Sequence, residues 1–235
     1  MKKLLYILLF VPLALFGQEN YSLSFDGVDD YISSSVNVDS TSFSFQGNVF
    51  FDENIFQTDY EMIFQMGVSD DEEELGGLKL RYDSDVDSNP VIRATMHWHN
   101  QEAVFLHSHD SIQVNKWYNI STVINRENGS FSLYLDGQLM DQKNIWGIPS
   151  LYDLSNNYPL IVGKHIWANG DQTHYFNGKM SDFKFWNKAL TQEEINLYIS
   201  CPPIADEDDL IAYWNMSEDY GDTVNDISGN GNHGT

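Results

Sequence analysis

The sequence predicts an all-β fold: two antiparallel sheets packed as a sandwich, with one short helix near the C-terminal end. Three observations predict it. Over residues 42–52, Phe43, Phe45, Val49 and Phe51 share one parity with Gly47, and over 130–136 Phe131, Leu133 and Leu135 alternate with Ser130, Ser132 and Tyr134. A pleat of period two places each set on a single face. Turn formers (Asn128-Gly129, Asp136-Gly137, Asn169-Gly170, Asn177-Gly178) separate such segments, as they do in a chain of short strands folded into two sheets. Only after most of these strands does a capping box occur. Thr191 stands three residues before Glu194, and Ile195, Leu197, Tyr198 and Ile199 supply the apolar contacts of a helix, about two to three turns long.

The elements follow in order. Residues 1–17 read as a secretory signal: Lys2 and Lys3 precede the apolar run 4–16, and Gly17 is a small residue before Gln18. The run is shorter than the roughly 20 residues a membrane span needs, so no membrane insertion is expected after cleavage. Residues 18–200 then suit one large sandwich domain. Its strand candidates are 42–52, 60–67, 77–82, 91–98, 103–109, 117–125, 130–136, 159–164 and 175–186, the last leading into the helix. The acidic run 70–74 and the aspartate-rich 83–89 read as solvated loops. Residues 201–209 read as an acidic linker. In 210–235, a strand (LIAYWNM) precedes a segment rich in turn formers.

Charge excludes whole classes of partner. The chain holds 12 basic and 35 acidic residues, a net charge of −23; removing Lys2 and Lys3 takes it to −25. A nucleic-acid binder needs clustered Lys and Arg, so no nucleic acid is expected. Self-repulsion keeps such a chain soluble, and abundant carboxylates suit a divalent cation such as Ca²⁺. Cys201 is the single cysteine, so the fold rests on its core without an internal disulfide. It reads as a small apolar filler beside Pro202.

Three motifs in order carry a family resemblance. They are FDGVDDY at 25–31, a Trp-led strand at 117–125 followed by LYLDG at 133–137, and GKMSDFKFWNKAL at 178–190 before the helix. The chain resembles the laminin-G-like jelly rolls of the concanavalin A-like lectin/glucanase superfamily. That resemblance covers roughly residues 21–199. It implies a jelly-roll sandwich and a binding module outside the cell or at its surface. It also implies a structural Ca²⁺, for which Asp26 and Asp182 hold motif positions, Gly47 is a further guess through its carbonyl, and Asp29 and Asp30 are weaker candidates. In the resembled family a segment like 210–235 opens a domain. Here it closes the chain, either as a permuted edge strand or as the start of a second repeat.

Hydrolysis in this superfamily uses a strand reading Glu-x-Asp-x-x-Glu, whose carboxyls stand about 5–5.5 Å apart across the scissile bond. This chain has no such strand, and Gly-x-Ser-x-Gly is absent; no catalytic residue is assigned. Four histidines stand in two period-two pairs, His97 and His99 in MHWH and His107 and His109 in FLHSH. If the two segments form a hairpin, an even register sum puts all four on one face, and an odd sum separates the pairs. They read as polar sheet residues, as donors to sugar hydroxyls, or as ligands of a transition metal. Trp146, Trp167, Trp98 and Tyr82 are stacking candidates for sugar rings, while Trp117, Trp186 and Trp214 read as core. The expected function is non-catalytic recognition of a glycan. The rivals are a glycoside hydrolase or polysaccharide lyase, and an adhesion module for a cell-surface protein.

Overall fold

The computed structural model describes residues 21–36, 42–53, 59–67, 77–86, 89–98, 102–148, 159–166, 172–218 and 220–235. The predicted signal, the acidic run 70–74, His99 and Trp167 lie outside them. Two antiparallel sheets pack across one core, as expected. Sheet A has the order β1 (Leu23–Asp26), β14 (Asn177–Trp186), β3 (Phe43–Phe51), β8 (Lys116–Asn125), β9 (Ser130–Leu135), β10 (Gln138–Asn144). Sheet B has the order β2 (Ile32–Ser34), β11 (Leu160–Val162), β4 (Tyr60–Gly67), β5 (Gly77–Val86), β6 (Asn89–Trp98), β7 (Glu102–His107). A small ribbon, β12 (His165–Ile166) with β13 (Gln172–Thr173), forms a separate two-stranded ladder.

Strand parity builds the core. From sheet A come Phe43, Phe45, Val49, Phe51, Phe131, Leu133, Phe183 and Phe185; from sheet B come Phe64, Leu78, Leu80, Tyr82, Ile92, Ala94, Met96 and Leu106. Phe45 lies at the centre, its ring 4.5 Å from Phe64 across the sandwich and 5.0 Å from Phe183 beside it. Gly47 shares this inward parity because Phe183 fills its place: a Cβ there would meet the Phe183 ring at 2.4 Å.

The opposite face of sheet A is partly closed by helix α1 (Gln192–Ser200). The capping box forms as expected, with Thr191 Oγ1 accepting from Glu194 N–H and the Glu194 carboxylate accepting from Thr191 N–H. Ile195 and Tyr198 turn inward onto Val123, Tyr134, Trp186 and Tyr213. Leu197 and Ile199 do not, since the helix touches the sheet along one stripe only; both are exposed. Cys201 is likewise exposed at the helix C-cap and fills no core space.

Residues 210–235 pack against this same body. β15 (Leu210–Trp214) pairs with the second half of β14, and β1 pairs with the first half. The two lie end to end along one edge. Beyond β15, Asp226 gathers the chain: its carboxylate accepts N–H groups from Tyr213, Ser228 and Asn232. Thr235 and Ser33 then exchange backbone hydrogen bonds, and Trp214 Nε1–H donates to Asn232 O.

Candidate functional site

The outer face of sheet B is built from the residues whose neighbours along each strand form the core. Leu78, Leu80 and Tyr82 point in, so Lys79, Arg81 and Asp83 point out. Ile92, Ala94 and Met96 point in, so Arg93, Thr95 and His97 point out; on β7, Leu106 points in and Phe105 and His107 point out. Register aligns them in rows: Arg81 opposite Arg93 opposite His107, then Lys79 opposite Thr95 opposite Phe105, then Gly77 opposite His97 opposite Ala103.

Two arginines directly opposite on neighbouring strands repel each other. Asp83 answers this from below: its Oδ2 accepts from Arg81 Nη2 at 2.7 Å and from Arg93 Nη1 at 2.8 Å, with its side chain only 1% exposed. Arg93 Nε donates to His107 Nε2 at 2.8 Å. A guanidinium can only donate, so His107 is neutral with its proton on Nδ1. Burial and the Arg93 charge hold its pKa below the ordinary histidine value.

Half of this face is roofed. The β12–β13 ribbon lies over β4 and β5, pinned by Gln65, whose Nε2 donates to Ile166 O, and by Lys79, whose ammonium donates to His165 Nε2 at 3.0 Å. That contact fixes His165 as the Nδ1–H tautomer, which donates to Tyr60 Oη at 2.8 Å. Tyr60 in turn stacks flat on His174, ring centroids 3.9 Å apart, with Arg81 over it at 4.4 Å. Burial, then the Lys79 charge, pushes His165 down to about 3; burial, then Lys79 and Arg81, pushes His97 down to about 4.

Among the described residues, no such ribbon covers the other half, on β6 and β7. Phe105 is 44% exposed on the last strand of the sheet. The Arg93 guanidinium lies 5.7 Å from its ring centre, and the His97 ring meets it edge-on at 6.3 Å. A flat apolar ring bordered by a guanidinium and an imidazole can take the C–H face of a sugar ring while its neighbours donate or accept at the hydroxyls.

The predicted residues fare unequally. The hairpin register sum is even (93 with 107, 97 with 103), so His97 and His107 share one face. They stand two rows apart with Phe105 between them, roughly 13 Å along the strand at 3.3 Å per residue, too far for one metal ion. His109 lies beyond β7 and is exposed. Tyr82 is no surface platform: it is fully buried against Phe51, on the parity of Leu78 and Leu80. Trp146 is 63% exposed and covers Gly129, on a loop remote in sequence from this face. The side chain of Trp98 lies outside the described residues. Trp117 is not core but 41% exposed, its ring tilted against Phe50 with centroids 5.4 Å apart. Tyr118 takes the inward parity, and α1 stops short of this end of the sheet.

The expected calcium set does not assemble. Asp26 pairs with Asn177, five residues from Asp182 on β14, roughly 16 Å away. Asp182 sits at a bulge with φ +57°, accepting from Tyr213 Oη–H at 2.8 Å and Asn48 Nδ2–H at 3.2 Å. Gly47 lies mid-sheet in β3 beneath Phe183, far from Asp26. Asp26, Asp29 and Asp30 instead converge, with carboxylate oxygens within 4.8 Å of one another. Two of these residues also hold the loop: Asp26 Oδ1 accepts from Val28 N–H, and Asp30 Oδ2 from Asp26 N–H.

The family profile described as the concanavalin A-like lectin/glucanases superfamily, of laminin-G type, matches residues 25–196. No curated protein matches the sequence. Among solved structures, the chain is similar to a candidate carbohydrate-binding protein from Bacteroides ovatus: TM-score 0.68, 19% identity, 91% of this chain and 57% of that one. It thus spans little more than half the length of that relative. A CBM40 of the Ruminococcus gnavus IT-sialidase bound to α2,3-sialyllactose matches with TM-score 0.56 and 8% identity over 75% of this chain and 96% of that one. The ligand-binding domain of botulinum neurotoxin serotype D in complex with N-acetylneuraminic acid matches with TM-score 0.55 and 17% identity over 75% of this chain and 41% of that one. At these identities the likeness establishes the fold.

Proposed function

We propose that this chain, which belongs to the concanavalin A-like lectin/glucanases superfamily, is a non-catalytic glycan-binding module acting outside the cell. Its ligand seats on the open half of sheet B's outer face. The observation that carries this reading is the half-exposed Phe105 ring bordered by Arg93 and His97 on a rigid sheet. Stacking on Phe105 supplies apolar contact, and Arg93, His97 and His107 supply directional hydrogen bonds. Register holds these side chains on adjacent strands, so little side-chain freedom is lost on binding. Similar folds that bind N-acetylneuraminic acid and sialyllactose support a sugar as the ligand class.

The calcium reading now rests on Asp26, Asp29 and Asp30. Each carboxylate keeps an oxygen beyond those holding the loop, and three hard oxygen donors fit Ca²⁺. The ion would stiffen the loop between β1 and β2, on a different strand set from Phe105. It is therefore a structural ion in this reading, with no part in ligand contact.

A glycan array probed with the wild-type chain and with Phe105→Ala, each with and without EDTA, tests both parts. The reading expects hits that Phe105→Ala weakens at least 10-fold and that EDTA leaves in place. An array without hits from folded protein would overturn it.

A further inference from the structure

We propose that the glycan site extends from Phe105 across the seam between β7 and β10 to a second stacking platform, Trp146, and that the ligand is a chain of linked sugar rings rather than a single terminal sugar. This deepens the glycan reading above and rests on it. β7 and β10 are the outermost strands of their sheets and lie side by side. His107 N–H reaches Asp141 Oδ2 at 3.4 Å. Asp110 and Gln113, which follow β7, line one cavity with Asp136, Gln138 and Met140. The two strands therefore run antiparallel across the seam. Passing back along β7 from His107 to Phe105 matches passing forward along β10 from Asp141 to Lys143. Trp146 stands three residues further on, roughly 10 Å at 3.3 Å per residue.

Local geometry makes Trp146 a fixed platform. Residues 145–148 form a β-turn, closed by Ile148 N–H donating to Ile145 O at 3.3 Å, with Gly147 at φ +79° in the position that a type II turn reserves for positive φ. Ile145 is buried in the core and Ile148 packs against it, so both ends of the turn are anchored and Trp146 is held at its tip. Trp146 N–H donates to Asn144 Oδ1 at 2.7 Å. A Cβ on Gly129 would meet Nε1, Cδ1 and Cδ2 of the indole at 2.4 to 2.5 Å. Near-equal approach to three atoms of the five-membered ring places the glycine against the ring's face. Trp146, 63% exposed, presents its other face to solvent. Between the platforms, Lys143 shares its strand parity with Asp141 and Ile145, which turn toward β7 and the core. Its side chain is 53% exposed, with the ammonium 3.3 Å from Asp141 Oδ1, and it can donate to a sugar hydroxyl. Rigid rings lose little freedom on binding. A second platform within reach of the same chain raises affinity without a second independent encounter.

The test is calorimetric titration of the chain with three ladders running from disaccharide to hexasaccharide: cello-oligosaccharides, manno-oligosaccharides and oligogalacturonates. In a ladder that binds, affinity is expected to rise roughly 10-fold from disaccharide to hexasaccharide, the gain that a second linked contact supplies. Trp146→Ala is expected to abolish that gain and leave disaccharide binding unchanged. Trp146→Phe is expected to keep most of the gain, and Phe105→Ala to weaken every length. Circular dichroism and the melting temperature confirm that each variant folds. Equal affinity for all lengths overturns the extended site and leaves the glycan reading standing, as does a length gain that survives Trp146→Ala. Array hits from a chain that binds no ladder overturn the extended site too. No ladder bound, and no hit on the array, overturns the glycan reading itself.

Discussion

The two outer faces of this sandwich start from the same alternating strands and end differently. On sheet A, outward residues Val123, Tyr134, Trp186 and Tyr213 are apolar or aromatic, and helix α1 seals them with Ile195 and Tyr198. Lys184, beneath the helix, is 2% exposed; its ammonium donates to Tyr198 O, and burial lowers its pKa to about 8. On sheet B, the outward residues include Lys79, Arg81, Asp83, Arg93, His97 and His107 around Phe105, and the β12–β13 ribbon covers only part of them. A sheet face that the fold needs is closed by apolar contacts. On the function proposed above, the face kept polar and only partly roofed is the one that takes the ligand.

Substitutions can break that contrast, beginning with the closed face. Trp186→Ala removes a fully buried indole stacked on Tyr198 at 4.7 Å. It should cost about 3–5 kcal/mol, read by urea unfolding, without changing binding of the surviving folded fraction. Asp83→Ala on the open face leaves two guanidiniums opposed and should cost about 3 kcal/mol or more. Returning the local charge to its original value with Arg81→Met in the same chain should recover much of that loss.

Acid should act through the open face. His97 has a folded pKa near 4 against about 6.5 unfolded. Between these values the unfolded chain binds the extra proton. Stability from His97 is therefore full above pH 6.5 and is lost as pH falls toward 4, by up to about 3 kcal/mol. His165, depressed to about 3, extends the loss in the same direction. His97→Gln should flatten the profile of melting temperature between pH 6.5 and 4; an unchanged slope would place the acid sensitivity elsewhere. Thr191→Ala, at the helix N-cap, should cost about 1 kcal/mol. The smallest effect belongs to Lys184→Met, expected to lie within about 1 kcal/mol of wild type, because a buried ammonium with one long hydrogen bond contributes little.

Much of the architecture was legible. The parity of Phe43, Phe45, Val49 and Phe51 was enough to set the inward face of β3, and Thr191 with Glu194 was enough to start α1. The site was legible in part. An even register made His97 and His107 cofacial, but Phe105 passed as an ordinary strand apolar residue. Its signal was its parity: it alternates with Leu106 and shares a face with His107. Tyr82 failed by the same rule read the other way, since its parity is that of Leu78 and Leu80. Trp117 misled because the burial of an outward residue on sheet A depends on where α1 ends, which no local pattern states. Asp26 and Asp182 were paired by motif position, whereas cross-strand register puts them five residues apart on β14.

The most direct test is nuclear magnetic resonance on the folded chain during titration with the oligosaccharide that the array ranks highest. Side-chain resonances of His97, Phe105 and His107 should move, while the indole N–H of Trp117, exposed on the opposite face, should not. Perturbation centred on Trp117 and Phe50, with the sheet B resonances still, would contradict the account.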